Sequence, residues 1–142
     1  MSPLACHFLH LELAGSSGTD VHDVTDQVAR AVRESGVRDG LVTVHVPGST
    51  AAVTTIEHEA GVLDDLRRAL ERLAPAGEPY AHDARWGDGN GYSHVRAALL
   101  GPSLGLPVRE GRPLLGTWQQ VVVLDFDNRP RQRRVVIQVM GE

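Results

Sequence analysis

Cysteine is nearly absent: the 142-residue chain has one, Cys6. That excludes an intramolecular disulfide framework and any cysteine-rich zinc or iron–sulfur site. Aromatic residues are few, two each of Phe, Trp and Tyr. Basic residues are outnumbered, 14 Lys and Arg against 18 Asp and Glu, for a net charge of −4 with histidine neutral. Broad nucleic-acid binding needs a basic face, and this balance opposes it. No apolar run approaches the roughly 18–20 residues of a membrane span. The start, Met1-Ser2-Pro3-Leu4-Ala5-Cys6-His7, lacks a basic stretch followed by an apolar one, so no signal peptide is expected. The expected setting is the reducing cytoplasm, with neither nucleic acid nor membrane as a partner. Against these shortages stand seven histidines.

The length suits a single domain over residues 1–142, long enough to carry a core without staples. Leu4 to Leu13 alternates as a strand with one phase slip, and Gly15-Ser16-Ser17-Gly18 ends it. Asp23-Val24-Thr25-Asp26 opens a helix with Val24, Val28, Ala31 and Val32 on one face; Gly36 is placed to end it in a left-handed conformation. Gly40–Val46 alternates as a strand, and Ser49–Ile56, rich in Thr and Val, resumes as another. From Ala60 to Ala74 the period becomes helical, with Leu63, Leu66, Leu70 and Leu73 apolar and the charges facing water. Residues 77–93 read as a long functional loop, with four glycines and no aliphatic residue larger than alanine. His94–Leu100 reads as a strand or short helix, and Leu106-Pro107-Val108 as extended chain. Trp118–Phe126 and Arg134–Met140 read as strands flanking a turn at residues 127–130, and so as a hairpin. The sum is an α+β fold: a single domain, mostly antiparallel β-sheet or sandwich, with two main helices.

Chemistry concentrates in a few places. His82-Asp83 and His94 flank a glycine-rich stretch containing Asp88 and Asn90. Neutral imidazole is a common ligand for zinc and related metals, and a neighbouring carboxylate fixes its tautomer. The spacing matches no strong local motif and equally suits a pair of surface histidines. Glu57-His58-Glu59 pairs acids with an imidazole, as a general base needs. It reads first as the acidic start of the following helix, at the positive end of the helix dipole. Gly48-Ser49-Thr50-Ala51 offers amides and hydroxyls to a phosphate but lacks the lysine of a P-loop. Arg129-Pro130-Arg131-Gln132-Arg133-Arg134 is a basic cluster in an acidic chain, either a solvated turn or a seat for an anion. His7, His10, His22 and His45 sit in or beside strand patterns and read as structural.

Taken in order, Ser49-Thr50-Ala51-Ala52-Val53-Thr54 with Glu57, Leu63-Asp64-Asp65-Leu66, Tyr80-Ala81-His82-Asp83, Gly87-Asp88-Gly89-Asn90 with His94, Gly101-Pro102-Ser103, Leu106-Pro107-Val108, Gly111, Gly116-Thr117-Trp118-Gln119 and the Asp127…Arg129-Pro130-Arg131…Arg134 tail form a pattern. With it the chain resembles the YjbQ-like family, the secondary thiamine-phosphate synthase-like proteins. The resemblance implies a small α+β homotrimer with a polar cleft in which histidines hold a divalent metal, zinc or magnesium. It also implies a weak ability to join the pyrimidine pyrophosphate and thiazole phosphate halves of thiamine phosphate. His82 and His94 fall on two of the family's site histidines, and Glu57, Asp83 and Asn90 on its polar positions. The family usually has a histidine ahead of the Thr-Ala-Ala segment, where this chain has Gly48. That departure weakens the expected metal site, and His45 or His58 is the candidate substitute.

Two main expectations follow. In the first, the chain is a transferase acting on a small anionic substrate. His82 and His94 hold a metal or polarise phosphate, Glu57 or Asp83 serves as base or orienter, and Asn90 is the third catalytic residue. Ser49, Thr50, Arg129, Arg131 and Arg134 bind the phosphate, offsetting the charge of a leaving pyrophosphate. In the second, the chain is a non-catalytic module that binds a small ligand or a metal, which the loss at Gly48 favours. A structural or stress-related oligomer without a ligand is the third reading.

Overall fold

The computed structural model describes residues 5–142. Met1–Leu4, and with them the first residue of the strand expected at Leu4–Leu13, lie outside the described residues. In chain order the elements are β1 (Ala5–Ala14), β2 (Asp20–Asp23), α1 (Thr25–Ser35), β3 (Gly40–His45), β4 (Ala51–Ile56), α2 (Ala60–Leu73), α3 (Ala81–Trp86), α4 (Gly91–Leu100), β5 (Ser103–Arg109), β6 (Arg112–Pro113), β7 (Gln120–Asp125) and β8 (Gln132–Gly141). They form two antiparallel sheets, one in the order β1-β8-β3-β5-β6 and the other β2-β7-β4. The α+β architecture is the one the sequence pattern implies.

One core lies between the sheets and α1. It takes Val24, Val28, Ala31 and Val32 from the helix region, Val42 and Val44 from β3, Val53 from β4, Val121 and Val123 from β7, and Val135, Ile137 and Val139 from β8. A smaller core lies on the other side of the three-stranded sheet. There Ala52, Val122, Leu124 and Phe126 meet Leu70 of α2 and Ala97 of α4. The central strand β7 is thus buried on both faces, which is why its sequence is an unbroken apolar run. By contrast β8 is inward only at alternate residues, beginning with Arg133.

The helix ends follow local chemistry. Asp23 Oδ1 accepts from the Thr25 amide at 3.0 Å, holding a free donor of α1's first turn. Gly36, at φ 75°, ends α1 in the left-handed region open to glycine. Glu59 caps α2, its carboxylate accepting from the Gly61 and Val62 amides.

Two expectations need correction. The strands β7 and β8 do not form a hairpin: they lie in different sheets, and residues 126–131 carry the chain from one sheet to the other. The reason lies in their patterns. A strand apolar on both faces needs cover above and below, and the edges of β7 are taken by β2 and β4 as those of β8 are by β1 and β3, so neither has an edge free for the other. Nor are residues 77–93 one long loop, because α3 and the start of α4 lie within them, adding to the two expected main helices α1 and α2. The buried residues of α4 are Gly91, Tyr92, Ser93, Arg96 and Ala97, with no large aliphatic side chain among them, so they leave no apolar periodicity to read. Arg96 is buried because its guanidinium donates to the Ala74 carbonyl and to Glu71. His94–Leu100, left open between strand and helix, is helical. Among the described residues no helix is long and apolar enough to cross a membrane.

Candidate functional site

Helix α3 begins at Ala81, which sets His82 and Asp83 in its first turn, and Gly87 stops it at φ 65°. The chain then turns through Asp88-Gly89-Asn90 into α4. Gly91 is needed at that entry, since a Cβ there would lie 2.6 Å from Tyr80 Cβ. This short reversal folds His82, Asp83, Asp88 and His94 into one corner. His82 Nδ1 lies 3.3 Å from Asp83 Oδ1 and 3.3 Å from Asp88 Oδ1. The rings of His82 and His94 have centroids 4.4 Å apart and are tilted by 39°. All four side chains are partly open to solvent.

Asp83 is held in its charged form. Loss of hydration alone would raise its pKa, but the Gly91 amide at 2.8 Å, the His82 ring and the Asn90 amide outweigh it, leaving it below the usual carboxylate value. Asp88 Oδ1 accepts from the Asn90 amide at 3.2 Å, fixing the tight turn. Asn90 is buried, and its Oδ1 accepts from the Ser93 hydroxyl and from the Asn128 amide. Its side chain shapes the corner rather than facing its opening.

A second polar group lies beside the first. Asn128 Nδ2 donates to the Asp88 carbonyl at 2.8 Å, tying the α3–α4 turn to the segment between β7 and β8. Behind it, Arg133 donates from Nε and Nη2 to both oxygens of Asp125, each at 3.0 Å, and from Nη2 to the Thr50 hydroxyl. Thr50 in turn donates to Asp127 Oδ2 at 2.9 Å, and Arg131 Nε reaches the same oxygen at 3.1 Å. Burial pushes Asp127 upward, yet the Arg129 amide, the Thr50 hydroxyl and Arg131 together hold it below the usual value.

Hydrogen bonds link His82, Asp83 and the Asn90 region to Asn128, and its chain neighbour Asp127 bonds Thr50 and Arg131; His94 joins through its ring contact with His82. Ser49 and Arg129 stand exposed at the rim of this group. Arg134 is elsewhere: alternation along β8 turns it away from Arg133, and its Nε lies 3.3 Å from Glu12 on β1. Glu57 is also apart, at the far end of β4 from Thr50, about 20 Å of extended chain away. It lines a cavity of 350 Å³ with Asp23, His58, Glu59, Trp118 and Gln120. His45 pairs with Ser103 at 2.5 Å, so neither His45 nor His58 joins His82. Two contributors carried no assigned role in the sequence. Asp88 lies in the quoted Gly-Asp-Gly-Asn stretch, and Arg133 shares the inward phase of Val135, Ile137 and Val139, a signal that was there to read.

The two antiparallel sheets and four helices define a small α+β domain, and the comparisons with known proteins agree on its family. The family described as UPF0047 protein YjbQ-like matches residues 10–142. This chain belongs to that family. A UPF0047 protein of Archaeoglobus fulgidus is 41% identical over 132 residues, covering 93% of this chain and 100% of the relative. One from Mycobacterium tuberculosis is 45% identical over 98 residues, 69% of this chain and 72% of the relative. The crystal structure of a YbjQ-like protein of unknown function from Sulfolobus solfataricus superposes with a TM-score of 0.93 at 28% identity, covering 99% of this chain and 100% of that one. A YjbQ/UPF0047 structure from Clostridium acetobutylicum gives 0.84 at 32% identity, with 92% and 98% covered.

Proposed function

We propose that the α3–α4 corner binds a divalent cation beside a small phosphorylated ligand, in the service of a group transfer of the thiamine-phosphate synthase type. The observation that carries this reading is the donor set. One ligand atom each from His82, Asp83 and Asp88 lie within 4.8 Å of one another. An imidazole nitrogen with two carboxylate oxygens suits zinc or magnesium, and three protein ligands leave positions open for a ligand. His94 packs its ring on His82 and steadies it. A divalent cation bound there would offset charge on a phosphate oxygen.

The residues of the chain supply the rest. The Gly91 amide and His82 favour the ionised form of Asp83, as a cation ligand requires. Arg131, with Arg129 at the rim, sets positive charge where a leaving pyrophosphate develops negative charge. Asn90 and Asn128 hold these two groups in register. Cytoplasmic residence and a homotrimer are part of the proposal. Phe8, Leu41 and Leu114 leave apolar surface exposed that partner copies would cover.

The second reading, a binding module without turnover, has its own support: Gly48 contributes no side chain to the corner. Incubation of purified protein with the pyrimidine pyrophosphate and thiazole phosphate precursors separates the two. Product formation that falls with His82→Ala supports transfer. Cation binding without product supports the module.

A further inference from the structure

We propose that Arg133, through the edge of its guanidinium facing Gly48, is the anchor of an oxyanion subsite formed with the Gly48–Ser49 loop. Arg133 is only 9% exposed, yet its hydrogen bonds to described residues leave from Nε and Nη2 alone. Nη1 donates to no described residue. It points at the loop, where a Cβ added to Gly48 would lie 2.9 Å from it. Gly48 has φ 154°, a backbone conformation that side-chain-bearing residues rarely adopt. With no side chain at Gly48, the guanidinium edge lies directly against the loop backbone. The Gly48 and Ser49 amides donate to no described residue, and the Ser49 hydroxyl stands exposed beside them. Undonated N–H groups grouped around a cation are what a phosphoryl oxygen requires.

Charge favours the same occupant. Asp125 and Asp127 are matched by Arg133 and Arg131, so the buried network is neutral before a ligand arrives. Arg129 at the rim has no ion-pair partner among the described residues and adds one positive charge. An oxyanion at the loop meets the free Nη1 edge without breaking the Asp125 pair, whereas a cation there would face Nη1. The ligand class is a phosphoryl group. The inference rests on the proposed phosphorylated ligand only for which molecule delivers that group.

The test titrates inorganic phosphate into EDTA-treated protein by calorimetry, so that cation binding at His82 plays no part. Saturable binding is expected, weakened about tenfold or more in Gly48→Ala, the scale of one lost charge-assisted hydrogen bond. Arg109→Gln, on an exposed pair with Asp39, should bind as the parent does. In the unsubstituted protein the Arg133 side-chain N–H resonances should shift with phosphate, which needs no variant to fold. No saturable binding, Gly48→Ala binding as tightly as the parent, or unmoved Arg133 resonances would overturn the proposal. Since cation binding is read separately on metal-loaded protein, either site can fail alone.

Discussion

The Asn128 backbone amide donates to Asn90 Oδ1 at 3.1 Å, and with the Asn128 Nδ2 bond to the Asp88 carbonyl it joins the two halves of the polar corner. Asn90 sits at the entry to α4, and Asn128 lies between β7 and β8, 38 residues later in the chain. Asn90→Ala removes the acceptor and leaves the Ser93 hydroxyl without a side-chain partner. A loss of about 1–3 kcal/mol is expected in urea unfolding. Cation affinity should fall with it, because the turn that carries Asp88 loses one of its two ties to Asn128.

Arg133 is a stability residue as well as a ligand candidate. Arg133→Met leaves Asp125, which is fully buried, without its charged partner. Removing one member of a buried pair costs about 3–5 kcal/mol. A melting curve should show it plainly. Arg134→Met, an exposed pair with Glu12, should change stability by less than about 1 kcal/mol.

Acid should loosen the corner. Asp83 and Asp127 both have folded pKa values below the ordinary value of about 4. A lowered folded value means that their stabilisation is complete above about pH 4 and is lost as pH falls through the folded values. Melting temperature should therefore drop as the pH is lowered below about 4. Thr50→Val, which removes one donor to Asp127, should flatten that part of the profile. An unchanged acid limb in Thr50→Val would contradict the assignment.

Gly91→Ala tests the close approach at the α4 entry. Its Cβ would meet Tyr80, whose hydroxyl is tied to the Pro75 carbonyl at 2.7 Å. The expected cost is about 1–3 kcal/mol, as for other overpacked sites. Amide exchange should quicken across α3 and the first turn of α4 and stay unchanged in β8.

Much of this architecture was legible because its apolar residues keep time. Val28, Ala31 and Val32 marked α1, and Leu63 and Leu70 marked α2. The fold class and the family resemblance followed from such patterns and from the Gly-Thr-Trp-Gln and His-Asp segments. What stayed hidden was polar. The inner face of α4 is held by Arg96 bonding a carbonyl and Glu71, which no hydropathy pattern registers. The separation of β7 from β8 depends on which strands flank each, a long-range fact that a short connection masks. In the site, His82 and His94 do lie together, whereas Glu57 and Arg134 are carried off by the length of β4 and the alternation of β8. Asp88 became a ligand candidate only once Gly87 and Gly89 had turned the chain back onto His82.

The central claim is a cation site built on His82, Asp83 and Asp88. Zinc titration of untagged, metal-stripped protein by calorimetry tests it most directly, with His82→Ala and Asp88→Asn alongside. The account predicts one zinc per chain in the parent, and binding lost or weakened at least about tenfold in each variant. No binding in the parent, or equal affinity in all three proteins, would contradict it.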